Sequence, residues 1–410
     1  WFASVPEVPE KYREQYYFAW WVLGVNLIRS YFYPHHEGII PSKVGYVGIW
    51  NWDSYFHAIA LRHQSIELAQ NQFRILFDHQ LETGMLPDVV QDDGVLSHTT
   101  DYGIDADITK PPLTAWAIWK IYELSHDKAF LAELYDKLVL SHRYWRTQVN
   151  TDGFAQYEHP YSSGLDNSPL FDEAVLETPD LTAYLILQAD TLAKISNELG
   201  LEVDSQQWSQ EAEILTQKLI DLRWDASAGL FRAWRDGQAV KISTPLSLIP
   251  LITGRLPQAI VAHLVKNLTS PEQFWTNFPV PTVAKNDPKH DPMTMWRGPV
   301  WVNINYLLIE GLQRSGYPEI GKQLRRKTLE MVMQHKDIYE YYHPMTGEKP
   351  PRAVSTFGWS SALFIDLVLQ ATLVPHHGTS KIMISRKSVN GPESHLIKKD
   401  TKIAIIKYVK

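Results

Sequence analysis

The sequence predicts an all-α protein, an (α/α)6 barrel: a closed toroid of about twelve helices with its active site at one mouth. Two observations predict this fold. Apolar residues recur at three- and four-residue steps through most of the chain, as on the buried face of a helix. Six long segments rich in Gly, Pro, Asp and aromatic residues separate helices that mostly come in pairs. Because long structured connections usually carry function, we expect these six segments to meet at that mouth.

Residues 177–200 illustrate the helical pattern. Thr178 can cap a helix, Pro179 suits its first turn, and Gly200 can end it. Apolar residues lie between them at helical spacing. The same reasoning predicts further helices near 11–32, 54–82, 111–124, 128–149, 206–223, 256–268, 299–315, 318–335 and 357–372, with shorter ones around 243–252.

The segments between these helices complete the domain organisation. We place the barrel at residues 1–375. A basic tail at 376–410 follows, because the sequence from Ser380 onward has eight Lys or Arg against two Asp or Glu. The tail is interpreted as short strands or a disordered segment. The six long segments lie near 35–53, 83–110, 151–177, 225–245, 270–297 and 337–356.

Composition excludes several classes of function. The net charge of −7 is mild, so neither nucleic acid nor an anionic membrane is expected as a partner. The chain has no cysteine, which excludes disulfides, cysteine nucleophiles and thiolate metal sites. No apolar run reaches the roughly 18 residues that a membrane span needs. A cytoplasmic location is the expectation. His35, His36 and His290 show no metal-ligand spacing, so neither a metal nor another cofactor is expected.

The aromatic content indicates a carbohydrate ligand. The chain has 15 Trp, 20 Tyr and 14 Phe, and many Trp adjoin Gly, Pro, Asn or Asp in the long segments. An indole offers a flat apolar face with one polar group, which suits a sugar ring with its apolar face and polar edges. The alternative is a large core that uses Trp as filler. Examples of the pattern are "GIWNWDSYFH" (48–57), "FWTNFPVP" (274–281) and "MWRGPVWVN" (295–303).

Glycosidic cleavage requires two carboxyl groups, one protonated and one ionised. Asp166 is the best proton donor, because apolar neighbours such as Phe171 could desolvate it and raise its pKa. An Asx-turn or helix cap is an equally good interpretation of Asp166. From the residues alone, the favoured interpretation of Glu340 is a surface position at a helix end. An N-cap is an equally good interpretation of Asp53. The candidate acids on the long segments are Asp53, Asp88, Asp105, Asp107, Asp166, Asp172, Asp291, Glu340 and Glu348.

Arg297 lies between Trp296 and a Gly-Pro turn in "WRGPVW". A guanidinium group is always charged and presents a planar fork of donors. We therefore interpret Arg297 as a residue that binds a ligand oxygen or a carboxylate through two hydrogen bonds.

Seven stretches together resemble glycoside hydrolase family 63, in the order of that family and over roughly residues 45–370. They are "GIWNWDSYFHAIAL" (48–61), "DITKPPLTAWAIWKIYE" (107–123), "SSGLDNSP" (162–169), "FPVPTVAKNDP" (278–288), "MWRGPVWVNINYLLIEGL" (295–312), "EYYHPMTGE" (340–348) and "FGWSSALFIDL" (357–367). The resemblance implies an (α/α)6 barrel that hydrolyses α-linked glucose or mannose with inversion. It implies Asp166 as the general acid and Glu340 as the base that activates water. The residues it places around the sugar are Trp50, Trp52, Asp53, Trp296, Arg297, Trp301, Tyr341 and Trp359.

One departure from the family favours a small substrate. Larger family members carry an N-terminal β-sandwich, whereas no strand-rich region precedes Trp20 here. Compact bacterial members that act on mannosylglycerate or glucosylglycerate also lack it. Lys110, Arg232 and Arg235 are available cations for an anionic aglycone. A trehalase-like or invertase-like hydrolase is one alternative, and a non-catalytic carbohydrate-binding protein is an alternative of another class.

Overall fold

The computed structural model describes residues 1–173 and 176–372, and α-helices dominate the secondary structure of these ranges. The predicted tail at 376–410 lies outside the described residues. The twelve α-helices of the described part are α1 (Glu10–Val25), α2 (Asn51–Leu61), α3 (Ile66–Asp78), α4 (Thr114–Ser125), α5 (Lys128–Thr147), α6 (Pro160–Ser163), α7 (Pro179–Glu198), α8 (Glu202–Arg223), α9 (Gln258–Leu268), α10 (Val302–Arg314), α11 (Pro318–Met333) and α12 (Gly358–Thr372).

Short strands occur only in the connections between helices of the described ranges. They pair antiparallel as β1–β2, β3–β4–β5, β6–β7, β8–β9 and β10–β11. Strands this short are marginal by themselves, so the helices carry the fold. The strands are β1 (Leu27–Ile28), β2 (Gly38–Ile39), β3 (Ile49–Trp50), β4 (Val89–Val90), β5 (Val95–Leu96), β6 (His98–Thr99), β7 (Ala106–Asp107), β8 (Trp224–Asp225), β9 (Leu230–Phe231), β10 (Ala233–Arg235) and β11 (Gln238–Val240).

Most predicted helices are present with their ends shifted by a few residues, but two predictions are wrong in extent. The helix expected at 11–32 ends at Val25, because the chain turns into β1 and the side chain of Asn26 donates hydrogen bonds to two backbone carbonyls. The helix expected at 54–82 is two helices, α2 and α3. Ser65 caps the second one with its hydroxyl oxygen, which is a strong signal for a new helix start.

Six helical elements contact each other in cyclic order. Helix α2 packs against α4, α4 against α7, and α10 against α12, which returns to α2. Between α7 and α10 the position is taken by the 3-10 helix Ile249–Thr253, which contacts both. This segment contains Pro250, whose missing N–H and ring disfavour a regular α-helix. The shorter helix expected around 243–252 is therefore present in 3-10 form.

The remaining long helices flank this cycle. Helix α1 packs against α12, α3 against α2, α5 and α8 against α7, and α11 against α10. Helix α2 is buried along its whole length, including its polar residues, whereas α8 and α11 each expose one face. An element that is buried on all sides belongs to the inside of a fold. Among the helices of the described ranges, none combines the length and the apolar composition needed to span a bilayer.

A buried carboxylate ties three of the inner elements together. Asp366 of α12 pairs with Arg62 at 3.0 Å and with His63 at 2.7 Å, just after the end of α2. Tyr306 of α10 donates a hydrogen bond to its second oxygen at 2.7 Å. These partners hold the pKa of Asp366 well below its usual range despite burial. The network fixes the helices whose other ends carry the site described next.

Candidate active site

Five of the six long segments contribute to one pocket of about 350 Å³. Within the described residues, the segment near 225–245 supplies none of its lining. Further lining residues come from the starts of α2 and α12 and from the residue before α10. The pocket is lined by Tyr46, Trp50, Trp52, Asp53, Lys110, Gly164, Asp166, Met295, Trp296, Trp301, Glu340, Phe357 and Trp359.

Stacked indoles form one wall of this pocket. The rings of Trp296 and Trp301 are parallel, with centroids 3.5 Å apart. Trp359 meets Trp52 edge-on at 5.3 Å. Tyr341 stacks on Trp301 at 4.8 Å but does not line the pocket, so it supports the indole from behind. These indoles cover much of one another and are at most 3% exposed, so they form a rigid apolar wall that fixes the shape of the pocket.

Asp166 lies in a segment whose backbone is restricted by a glycine turn and by close packing against Trp52. Gly164 turns the chain with a left-handed φ of 72°, and an added Cβ there would lie 2.4 Å from the ring of Trp52, so only glycine fits. Asp166 caps neither adjacent helix, because His159 caps α6 and Ser168 caps the short helix that follows. The cap interpretation of Asp166 is therefore wrong.

The carboxyl group of Asp166 is poised to hold a proton. Its Oδ1 is buried and accepts no hydrogen bond from the described residues. Burial raises the pKa of Asp166 to about 6; Lys110 opposes this rise and Asp88 adds to it. The Nζ of Lys110 is 3.8 Å from Oδ1, which is too far for a hydrogen bond. A carboxyl with a raised pKa is what a general acid requires near neutral pH.

Glu340 is buried, only 2% exposed, so its interpretation as a surface residue is wrong. Its Oε1 accepts a hydrogen bond from the Tyr46 hydroxyl at 2.8 Å, and its Oε2 accepts one from the Val354 N–H at 3.1 Å. Burial raises the pKa of Glu340 to about 7; the two hydrogen bonds oppose this rise and Asp166 adds to it. The electrostatic influence of Asp166 agrees with the placement of both carboxyls in one pocket.

Asp53 is a third carboxyl in the pocket. It lies in the first turn of α2, whose N-cap is Trp50, so the N-cap interpretation of Asp53 is wrong. Burial raises the pKa of Asp53 well above its usual range, against the effect of Lys110. Glu340 adds to the rise. The three carboxyls and Lys110 are thus electrostatically coupled.

Arg297 does not line the pocket. Its guanidinium group binds both carboxylate oxygens of Asp172, at 2.6 and 2.9 Å, and donates to the backbone carbonyl of Asn167 at 3.1 Å. The side-chain oxygen of Asn167 in turn accepts a hydrogen bond from the backbone N–H of Trp296 at 2.9 Å. The carboxylate predicted for this arginine is therefore the protein's own, and the contacts hold the segment that carries Asp166.

Four further residues line the pocket and were not predicted as site residues: Tyr46, Gly164, Met295 and Phe357. The Gly between Ser163 and Leu165 was a usable signal, because a glycine next to a candidate acid can mark close packing. Nothing local marks Tyr46, whose partner Glu340 lies 294 positions away.

Of the three cations considered for an anionic aglycone, Lys110 alone lines the pocket. Arg232 pairs with Asp225 at 3.2 Å and Arg235 pairs with Glu173 at 2.9 Å. Across the described ranges, no group of three or more His, Asp or Glu side chains is arranged to hold a metal ion.

Comparison with known proteins yields one family match. A family model described as the mannosylglycerate hydrolase MGH1-like glycoside hydrolase domain matches residues 46–360. A mannosylglycerate hydrolase from Thermus thermophilus is 26% identical, and the alignment covers 83% of this chain and 97% of that protein. A glucosylglycerate hydrolase from Mycolicibacterium hassiacum is 24% identical, with coverage of 78% and 92%.

Solved structures agree in fold. The crystal structure of a GH63 mannosylglycerate hydrolase from Thermus thermophilus in complex with glucose has a TM-score of 0.74 and 22% identity, covering 87% of this chain and 99% of that one. The neutral trehalase Nth1 from Saccharomyces cerevisiae has a TM-score of 0.68 and 16% identity, with coverage of 86% and 79%. At these identities the likeness is one of fold.

Proposed function

The chain belongs to the mannosylglycerate hydrolase MGH1-like glycoside hydrolase family and is a glycoside hydrolase, and we propose that it inverts the anomeric carbon of a small α-glycoside. The family 63 resemblance of its motifs is confirmed by these comparisons. Asp166 is the proposed general acid and Glu340 the proposed general base. The observation that carries this proposal is that both carboxyls, 174 positions apart in the chain, line one pocket with raised pKa values.

Contacts, rather than the order of the pKa values, support the division of roles. The charge of Asp166 contributes to the raised pKa of Glu340, so the values of about 6 and about 7 belong to two interacting groups. Glu340 accepts hydrogen bonds on both oxygens, which fixes the orientation of its carboxylate and favours its ionised form. Asp166 has an oxygen without any hydrogen-bond donor among the described residues. That environment favours the protonated form of Asp166.

The proposed reaction has one chemical step. Asp166 donates its proton to the glycosidic oxygen while Glu340 takes a proton from a water molecule. This water attacks the anomeric carbon from the opposite face, and the sugar leaves with inverted configuration. Such a water needs carboxyl groups roughly 6.5–9.5 Å apart. Trp50 and Trp359 line the pocket, and each has an indole N–H without a partner in the described residues, so sugar hydroxyl groups could satisfy both.

We infer an (α/α)6 toroid from the cyclic packing order. Six inner elements contact each other in sequence and return to α2, and flanking helices lie on most of them. The fold match to a trehalase and to a mannosylglycerate hydrolase supports this inference. In this architecture the long segments share one mouth, which accounts for a pocket built from five of them. The cytoplasmic location stays a prediction.

The proposed substrates are glucosylglycerate and mannosylglycerate. The relatives in the comparison carry these two substrates in their names, and they are covered over most of their length.

The pH dependence of kcat/KM should be a narrow bell centred between about pH 6 and 7. Below pH 6 both carboxyls are protonated and no base remains. Above pH 7 both are ionised and no acid remains, so activity falls about tenfold per unit on each side. Measuring kcat/KM at a series of pH values gives this profile, and repeating points in a second buffer controls for buffer effects. A flat profile from pH 5 to 8 would contradict the pairing of Asp166 with Glu340.

A substrate panel read by NMR tests the proposed function. The panel contains glucosylglycerate, mannosylglycerate, trehalose, sucrose and gluco-oligosaccharides. We expect hydrolysis of a glycerate glycoside, with the β-anomer of the sugar appearing before mutarotation. Release of the α-anomer first would mean retention and would make Glu340 a nucleophile. Preference for trehalose or sucrose would favour the trehalase-like or invertase-like alternative, and binding without any product would favour a carbohydrate-binding protein.

A further inference from the structure

A buried lysine lies between two carboxyl groups at the pocket. Lys110 is 4% exposed and Asp88 is 2% exposed. The Lys110 Nζ lies 3.0 Å from Asp88 Oδ1 and donates a hydrogen bond to the backbone carbonyl of Tyr161 at 2.7 Å. On its other side it lies 3.8 Å from Asp166 Oδ1. Lys110 lines the pocket together with Asp166, whereas Asp88 does not.

We propose that Lys110, held in place by Asp88, is a positioning residue that stabilises the carboxylate formed when Asp166 gives up its proton, and that this pair sets the working pH. The proposal rests on the proposed role of Asp166 as general acid. An ammonium group has three donors; the carbonyl of Tyr161 accepts one of them, and Asp88 Oδ1 forms an ion pair with the ammonium at 3.0 Å. A further donor of Lys110 is free to approach Asp166 Oδ1 when that carboxyl ionises, since this oxygen accepts no hydrogen bond from the described residues.

The two members of the pair act on Asp166 in opposite directions. The positive charge of Lys110 favours the ionised form of Asp166, and the negative charge of Asp88 favours the protonated form. Asp88 also partly neutralises Lys110, so the lysine favours the carboxylate of Asp166 without removing the rise in its pKa. Burial disfavours a charged Lys110, but Asp88 and Asp166 outweigh burial and raise its pKa. The lysine therefore stays charged throughout the working range.

Six other titratable groups surround Lys110, Asp88 and Asp166, and four of them stay neutral near pH 7. The tyrosines have raised pKa values and stay neutral near pH 7, and the histidine has a lowered pKa and is also neutral. Glu340 is the catalytic partner, and Asp53 is coupled to Lys110. These groups are Tyr46, Tyr102, Tyr161, His159, Glu340 and Asp53.

Opposite substitutions should move the pH optimum of kcat/KM in opposite directions. The optimum lies midway between the two apparent pKa values, so it shifts by half of any change in the pKa of Asp166. A nearby charge changes a carboxyl pKa by about 1–3 units. We expect Lys110→Met to raise the optimum by about 0.5–1.5 units and Asp88→Asn to lower it. The double variant should lie between the two single variants.

Matched variants separate this role from a structural one. Lys110→Arg keeps the charge and should keep the optimum near that of the unmodified chain. Lys120→Met removes a lysine from another partly buried ion pair, with Glu310 at 2.8 Å, which does not line the pocket; it should leave the optimum unchanged. If Lys110→Met does not fold, Asp88→Asn still reports the sign, because it leaves Lys110 in place and should lower the optimum relative to the unmodified chain and Lys110→Arg.

Several outcomes would overturn the proposal. Shifts of the same sign in Lys110→Met and Asp88→Asn, or lowered activity with unmoved optima, would show that the pair acts only on folding. An unmodified chain that hydrolyses nothing on the substrate panel would remove the proposed function, and this proposal with it. Hydrolysis with an optimum that ignores both substitutions would remove this proposal alone.

Discussion

Replacing Asp166 by Asn should lower kcat for a natural glycoside by about 10²- to 10⁴-fold, the usual contribution of a general acid. The amide keeps the shape of the side chain but has no proton to give. Sugar binding should persist, because the stacked indoles of Trp296 and Trp301 are untouched. Steady-state kinetics and calorimetric titration with the product sugar measure the two effects.

A change of leaving group sharpens this test. Fluoride leaves with little help from a proton, so a glycosyl fluoride should lose much less rate than a glycerate glycoside in the Asp166→Asn variant. Asp180→Asn is the matched control, because burial also raises the pKa of Asp180 to about 6 but Asp180 does not line the pocket. It should keep most of the activity. Nearly full activity of Asp166→Asn on the glycerate glycoside would remove Asp166 from the acid role.

Glu340→Gln should lower kcat by about 10²- to 10⁴-fold as well, and for every leaving group. The amide cannot take a proton from water, so the fluoride substrate offers no relief. The contrast in leaving-group response between the two variants is the expected signature of an acid and a base. Parallel kinetics on the glycerate glycoside and the glycosyl fluoride give the comparison.

The control for this variant lies in the same segment. Glu348→Gln changes an exposed glutamate eight positions further along and should leave kcat unchanged. Mass spectrometry of the unmodified enzyme during turnover gives the opposing outcome. A covalent glycosyl-enzyme on Glu340 would make this residue a nucleophile and would contradict the proposed inversion.

Local patterns predicted most of the helices and the role of the long segments. Caps such as Ser65 are visible in the sequence, yet the continuous apolar pattern around α2 and α3 hid the break between them. Asp166 could be selected from its apolar neighbours alone. Glu340 could not, because its burial depends on Tyr46 and Val354, and the chain gives no local sign of either contact.

Arg297 shows the limit of reading charge from neighbours. Trp296 and the Gly-Pro turn correctly indicated a bidentate partner, but sequence cannot tell a ligand carboxylate from one supplied by the chain. Asp172 lies 125 positions away and satisfies the arginine. Lys110 had the reverse outcome, because it was considered only as a contact for the aglycone and lies beside the proposed acid. For both Arg297 and Lys110, the partner that decides the role is distant in sequence and comes close only in the folded chain.

The indole wall also gives the protein an optical readout. Five of its 15 tryptophans line the pocket, and two of these rings stack at 3.5 Å. Emission from indoles at a binding site changes when a bound ligand alters the polarity around them. Occupancy can therefore be followed by intrinsic fluorescence without a label, even in variants that no longer turn over.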